Sequence, residues 1–250
     1  MTEEKFWRTE NDPHALLSAL FPTRSEGSVV LQTRKCRHYL LACARRQWNR
    51  LPGVCREIVA LAEVFAEYPR SEARLRALVA PIAEQLVHSA GDPGDLEEAA
   101  RALRSAGEED TPGGVRSRLA PEDQFDVPVV PEPFSETEWR GLASLVYLPF
   151  VLNTPPFKWV PRELHATDLL REIYYNPYVF IPFDSDWRTS DTLELARAAY
   201  NSRNFGGMPF LADALQEAGC TNSAILDHCR DTNARHVRGC WVVDRILNHG

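Results

Sequence analysis

The stretch SVVLQTRKCRHYLLACARRQWNRLPG, residues 28–53, sets Cys36, Leu40, Cys43, Ala44, Trp48 and Leu51 at three- and four-residue spacing. That recurrence lines one face of a helix with 3.6 residues per turn. Pro52-Gly53 stops it, so a helix is expected over about 28–51. The same pattern repeats outward in both directions. Upstream, Asp12-Pro13 supplies an N-cap and a first helical position for a helix at about 12–21. Downstream, helices are expected at about 54–67, 72–90 and 95–106, with Pro81 bending or interrupting the second of these. Ser135 and Glu138 form a capping box ahead of a helix at about 136–150. Further helices are expected at about 166–175, 191–202, 208–218, 223–230 and 237–248.

The connections in the second half are rich in proline and aromatic residues. TPPFKWVP (154–161) and YYNPYVFIPFDSDW (174–187) carry too much proline for inner strands. They leave room for one short edge strand around Val179–Ile181, and otherwise read as extended segments packed over the core by their rings. The fold class is therefore all-α or nearly so, a multi-helical bundle. Residues 107–135 hold five prolines, three glycines and little periodicity. They divide the chain into an N-terminal helical region (1–106), a linker or long surface loop (107–135) and a C-terminal helical region (136–250).

At 250 residues with 44% apolar and 25% charged side chains, the chain has ordinary globular composition. No apolar run approaches the ~18–20 residues that span a bilayer. The opening MTEEKFWRTEND is acidic where a secretory signal is basic and then apolar, so a cytoplasmic protein with reduced cysteines is expected. The net charge of −7 is unevenly spread: residues 28–56 hold seven Lys or Arg and no acid, leaving −14 for the remainder. Residues 92–110 hold seven acids.

Both ends resemble a known family. MTEEKFWRTENDPHALLSAL (1–20) and RKCRHYLLACARRQWNRL (34–51) resemble the N-terminus of an uncharacterised helical family expanded in planctomycete-type bacteria. LLREIYYNPY (169–178), the phrase DSDWRTSDTLELARAAYNSRNFGGMPFLADALQEAGCTNSAILDHCR (184–230) and HVRGCWVVDRIL (236–247) are similar to its ending. The resemblance covers roughly residues 1–65 and 166–248 and implies no particular activity. Immunity-protein-like labels on some members, and repeat modules beside others, imply interaction more than catalysis.

Chemically versatile side chains concentrate in the tail. Cys220, His228, Cys229, His236 and Cys240 fall within 21 positions, in the order C-x7-H-C-x6-H-x3-C. Zinc takes four nitrogen or sulfur ligands, and Cys220, His228, His236 and Cys240 are the candidate set. His236 and Cys240 are expected one turn apart on the last helix, facing the same way. Against this, Gly219 reads as a helix C-cap with Cys220 as the apolar contact beyond it. Cys229 lies four residues after Ile225, and Cys240, Val243 and Leu247 form an apolar stripe. On that reading the cysteines pack, and no cofactor is held. Cys229 with His236 is the nearest approach to a nucleophile pair, and the sequence supplies only their proximity. No glycine-rich phosphate loop, HExxH, GxSxG or CxxC is present, and no residue is assigned a catalytic role.

The basic helix offers the other candidate surface. Arg34, Arg37, His38 and Arg45 lie on one flank, and Lys35, Arg46 and Arg50 on the next. Few aromatics interleave them, and net charge and motif both count against nucleic acid. Acidic protein, or the chain's own acidic segment, is the expected counterpart. The sequence thus points to a non-enzymatic cytoplasmic interaction or adaptor module. A zinc-stabilised or metal-using protein centred on the tail is the alternative, and an enzyme of unknown reaction type a second.

Overall fold

A computed structural model describes residues 2–20, 33–67, 73–89, 91–109, 135–151 and 160–249. Twelve α-helices and no strand occur among the described residues. The chain divides into two compact units, Met1–Leu20 with Ala166–Gly250, and Phe21–His165.

The central unit is a bundle of α3 (Thr33–Arg46), α4 (Gly53–Glu67), α5 (Ala73–His88), α6 (Pro93–Glu109) and α7 (Glu136–Val151). α7 packs on α3, α4 and α5, and α6 on α4 and α5. The predicted stripe is buried at Cys36, Leu40, Cys43, Ala44 and Leu51, and burial extends beyond it to His38, Tyr39, Leu41 and Ala42, as it does along α4 at Ile58, Leu61 and Phe65. Trp48 is only half-buried, because α3 ends at Arg46 and a short 3-10 turn carries Trp48 out of register. Trp139 of α7 is fully buried, and its indole N–H donates to the Leu86 carbonyl at 2.8 Å. Burying each such large apolar side chain contributes about 1.5–3 kcal/mol. The Ser135–Glu138 capping box forms, with the Glu138 carboxylate accepting from the Ser135 N–H at 3.1 Å. That capping pulls the Glu138 pKa down. α5 runs through Pro81 without interruption.

The second unit joins the two ends of the chain: α1 (Glu3–Thr9), α2 (Pro13–Leu20), α8 (Thr167–Tyr174), α9 (Ser190–Ser202), α10 (Met208–Glu217), α11 (Ser223–Arg230) and α12 (Trp241–Leu247). α10 packs on α9 and α11, α9 on α12, and α8 on α2 and α12. Its core runs from Ile181 through Ala196, Leu211, Leu215 and Ile225 to Val242 and Ile246. Trp7, Leu16 and Leu17 are also buried.

Three expectations change. The division differs from a cut at 107–135: α7 belongs with α3–α5, and the N-terminal twenty residues group with the C-terminal helices. Most of 107–135 lies outside the described residues, and α6 continues to Glu109. No edge strand forms around Val179–Ile181; Val179 closes a turn, its N–H donating to the Asn176 carbonyl at 3.1 Å, and the Ile181 carbonyl accepts from the Arg245 guanidinium instead of a neighbouring strand. The last helix starts at Trp241 rather than 237, because Gly239 takes φ +89° and breaks helical geometry just before it.

Candidate metal centre

α8 is short, and Leu169, Leu170 and Ile173 fill its inward face. Glu172, three residues after Leu169, shares that direction and is 5% exposed. A carboxylate taken this far from water needs partners. It finds them in the C-terminal tail. His236 Nδ1 lies 3.0 Å from Glu172 Oε1, and His228 Nε2 lies 3.5 Å from Oε2. His228 Nε2 is also 3.3 Å from Cys240 Sγ. One donor atom from each of Glu172, His228, His236 and Cys240 falls within 4.8 Å of the other three.

Three pieces of backbone build this convergence. α11 is capped by Asn222, whose side chain accepts from the Ala224 N–H, and it buries Ile225 and Cys229. His228 stands beside that apolar face, its ring 5.1 Å from the Trp241 ring. Residues 231–240 then return as turns, and the Gly239 bend sets Cys240 as the residue preceding α12. His236 and Cys240 meet through this loop, not through one helical turn.

The electrostatics suit a cation. Burial pushes the Cys240 thiol well above its ordinary range, and the nearby Glu172 pushes the same way. Burial lowers the His228 pKa, with Glu172 opposing, so its imidazole is held neutral, the form that binds metal. A divalent ion would stabilise the Cys240 thiolate that burial otherwise disfavours. In a tetrahedron with Zn–N near 2.05 Å and Zn–S near 2.3 Å, ligand atoms sit about 3.3–3.8 Å apart. The His228–Cys240 separation of 3.3 Å matches that edge, whereas the 3.0 and 3.5 Å contacts reach different oxygens of Glu172 and the four donors spread over up to 4.8 Å, so an ion would have to draw the widest-set donors inward. Two imidazoles, a thiolate and a carboxylate form a zinc-type donor set. The donor set fits zinc; the second ring nitrogen of His236 does not follow the usual pattern. His236 Nε2 is buried with no hydrogen-bond partner among the described residues, whereas a ligating histidine usually has that atom held. Its ring is positioned instead by packing against His228 (centroids 4.8 Å) and Phe205 (6.5 Å).

Of the four residues expected from the sequence, His228, His236 and Cys240 are brought together and Cys220 is not part of the group. Gly219 takes φ +90°, and the Cys220 N–H donates to the Leu215 carbonyl at 2.9 Å, closing a Schellman turn that sends Cys220 into the core. Glu172 stands in its place. No spacing rule reaches it, 56 positions before His228; the one signal is an acid on the apolar side of a short helix. Cys229 is 1% exposed and burial pushes its thiol pKa up to about 12, which disfavours the thiolate that a nucleophile needs.

On the basic helix, Arg34 pairs with Glu67 at 3.2 Å and Arg45 with Glu63 at 2.8 Å, both acids lying on α4. His38 Nε2 approaches Glu67 at 2.7 Å. Arg37 donates to the Pro149 carbonyl at 3.0 Å and covers the Phe65 ring. Arg50 meets Glu138 at 3.0 Å; Lys35 is half-buried and Arg46 exposed. Much of this charge is thus used inside the bundle. No helix among the described residues is long and apolar enough to cross a membrane. Comparison with protein-family models, curated protein sequences and solved structures gives no match for the chain.

Proposed function

We propose that this chain is a zinc-stabilised, non-enzymatic protein whose terminal unit is held by Glu172, His228, His236 and Cys240. The observation that carries the reading is the convergence of these four donors within 4.8 Å in a largely buried setting. Four protein ligands saturate a tetrahedral ion and leave no position for substrate or water, the mark of a structural rather than a catalytic site. Six free cysteines fit a reducing, cytoplasmic setting. The test is the zinc content of untagged protein, read beside its melting temperature with and without chelator. One equivalent per chain and a large downward shift on chelation are expected. Protein purified in zinc-containing buffer that carries no zinc, and melts identically with chelator, would overturn the reading.

A stabilised body of this kind serves, on our reading, as a protein-interaction module. Phe180 and Phe210, 88% and 68% exposed, are large apolar side chains held in water on this unit and support that use. Nucleic acid is disfavoured by the −7 charge and by the arginines committed to Glu63, Glu67 and Glu138. Tight, salt-dependent binding to duplex or single-stranded DNA or RNA would overturn this part.

A further inference from the structure

The four donors come from only two regions of chain: Glu172 from α8, and His228, His236 and Cys240 from the segment 228–240. α8 is otherwise placed at the side of the C-terminal helices. Among the described residues the core cluster runs from Ile181 to Ile246 and draws no member from α8. Of the elements after it, α8 packs chiefly on α12. Its other attachments lead to the start of the chain. It packs on α2, and Arg171, adjacent to Glu172, donates to the carbonyls of Trp7 (3.0 Å) and Glu10 in and just after α1. One side of α8 therefore holds the N-terminal helices, and the next residue holds the metal group.

Resting on the zinc reading, we infer that the metal is a clamp: its occupancy fastens α8, and with it α1 and α2, to the C-terminal helices α9–α12. Zinc joins Glu172 to three ligands that already belong to the cluster's own surroundings. Without the ion, α8 keeps the buried side chains Leu169, Leu170 and Ile173, its packing on α12 and the Glu172–His236 contact at 3.0 Å, and loses the metal bonds that draw Glu172 to His228 and Cys240. Partial opening then follows the least anchored path, releasing α8 together with the helices Arg171 carries. The C-terminal cluster keeps its own apolar core, including Leu211, Leu215, Trp241 and Val243. The result is a metal-dependent latch on the N-terminal segment rather than a metal-dependent fold.

Hydrogen exchange on the full chain, zinc-loaded and after chelation, tests this. Amides of α8 (169–174) and α1 (6–9) should exchange about tenfold faster or more without zinc, while those of α9 and α10 change little. Arg171→Ala, which leaves every ligand in place, should speed exchange in α1 with zinc bound while leaving zinc affinity within about twofold of the parent protein. Stoichiometric zinc with α8 and α1 unchanged on chelation would overturn the clamp and leave the zinc reading standing. Loss of protection throughout α8–α12 would show a metal that folds the whole unit, and would also overturn the clamp. Protein that takes up no zinc would fail both.

Discussion

Cys240 stands where a packing residue and a ligand make the same demands: fully buried, beside Trp241, at the start of a helix. The two roles separate when zinc is varied. Cys240→Ala leaves a small cavity, costing on the order of 1 kcal/mol in chelator, comparable to the loss of one buried methyl-sized group. In zinc at a hundredfold excess over the dissociation constant, the parent protein gains about 2.7 kcal/mol that the variant forgoes. Its total deficit should then approach the sum. Cys220→Ala, in the same core but outside the donor group, should cost the same with and without zinc. Urea unfolding of both variants in the two conditions decides the matter; equal losses for Cys240→Ala would make it a packing residue. At this scale His228, His236 and Cys240 are legible because they crowd together in sequence. Cys220 is misplaced by the same crowding, which says nothing of direction, and a left-handed glycine at 219 turns it inward. Glu172 is out of reach because chain distance hides spatial neighbours.

Elements are legible where capping and periodicity agree. Asp12-Pro13 and Ser135–Glu138 open helices as expected, with the His14 N–H donating to Asp12 Oδ1 at 3.0 Å. α1 leaves no such pattern because its seven residues bury only Trp7, too little for a recurring apolar face. α3 shows what a charge pattern alone leaves open. Its arginines read as a surface, yet Arg34 and Arg45 meet α4 acids that sit one turn apart on a largely buried helix, where Glu63 is 4% exposed. Arg45→Ala removes the guanidinium that pairs with that carboxylate, and removing one member of a buried pair costs about 3 kcal/mol. The guanidinium also lies 3.8 Å from the Trp48 ring, so some of the loss is packing. Pairing the change with Glu63→Gln should recover part of the stability, since the buried carboxylate charge is then gone. A double-mutant cycle by urea unfolding measures this. Additive losses would mean the pair contributes nothing as a pair.

The unit that joins residues 1–20 to 166–250 cannot be read from local pattern, because periodicity reports neighbours along one helix and carries no information on which distant helices meet. A composition change at 107–135 marks an obvious cut, and that cut does not match the grouping of elements. The consequence is concrete: a fragment that begins after the bundle lacks part of its own core. Trp7, Leu16 and Leu17 are 1%, 0% and 0% exposed, and Leu20 is 7%. At about 1.5–3 kcal/mol each, their burial rivals the ~5–15 kcal/mol net stability of a typical domain. Arg171 would also lose both of these backbone acceptors. A fragment of residues 166–250 should therefore melt below the same fragment with residues 1–20 restored, the loss falling first on α8 while α9–α12 keep their own core. Fusing residues 1–20 to its start through a long Gly/Ser linker should restore the higher melting temperature, since such a linker imposes little geometry. The same fusion carrying Trp7→Ala and Leu16→Ala should fall back toward the bare fragment. Calorimetry on the three proteins, all in zinc, reads the result. A fragment 166–250 that melts as sharply and as high as the fusion would show that the N-terminal helices are carried by this unit without supporting it.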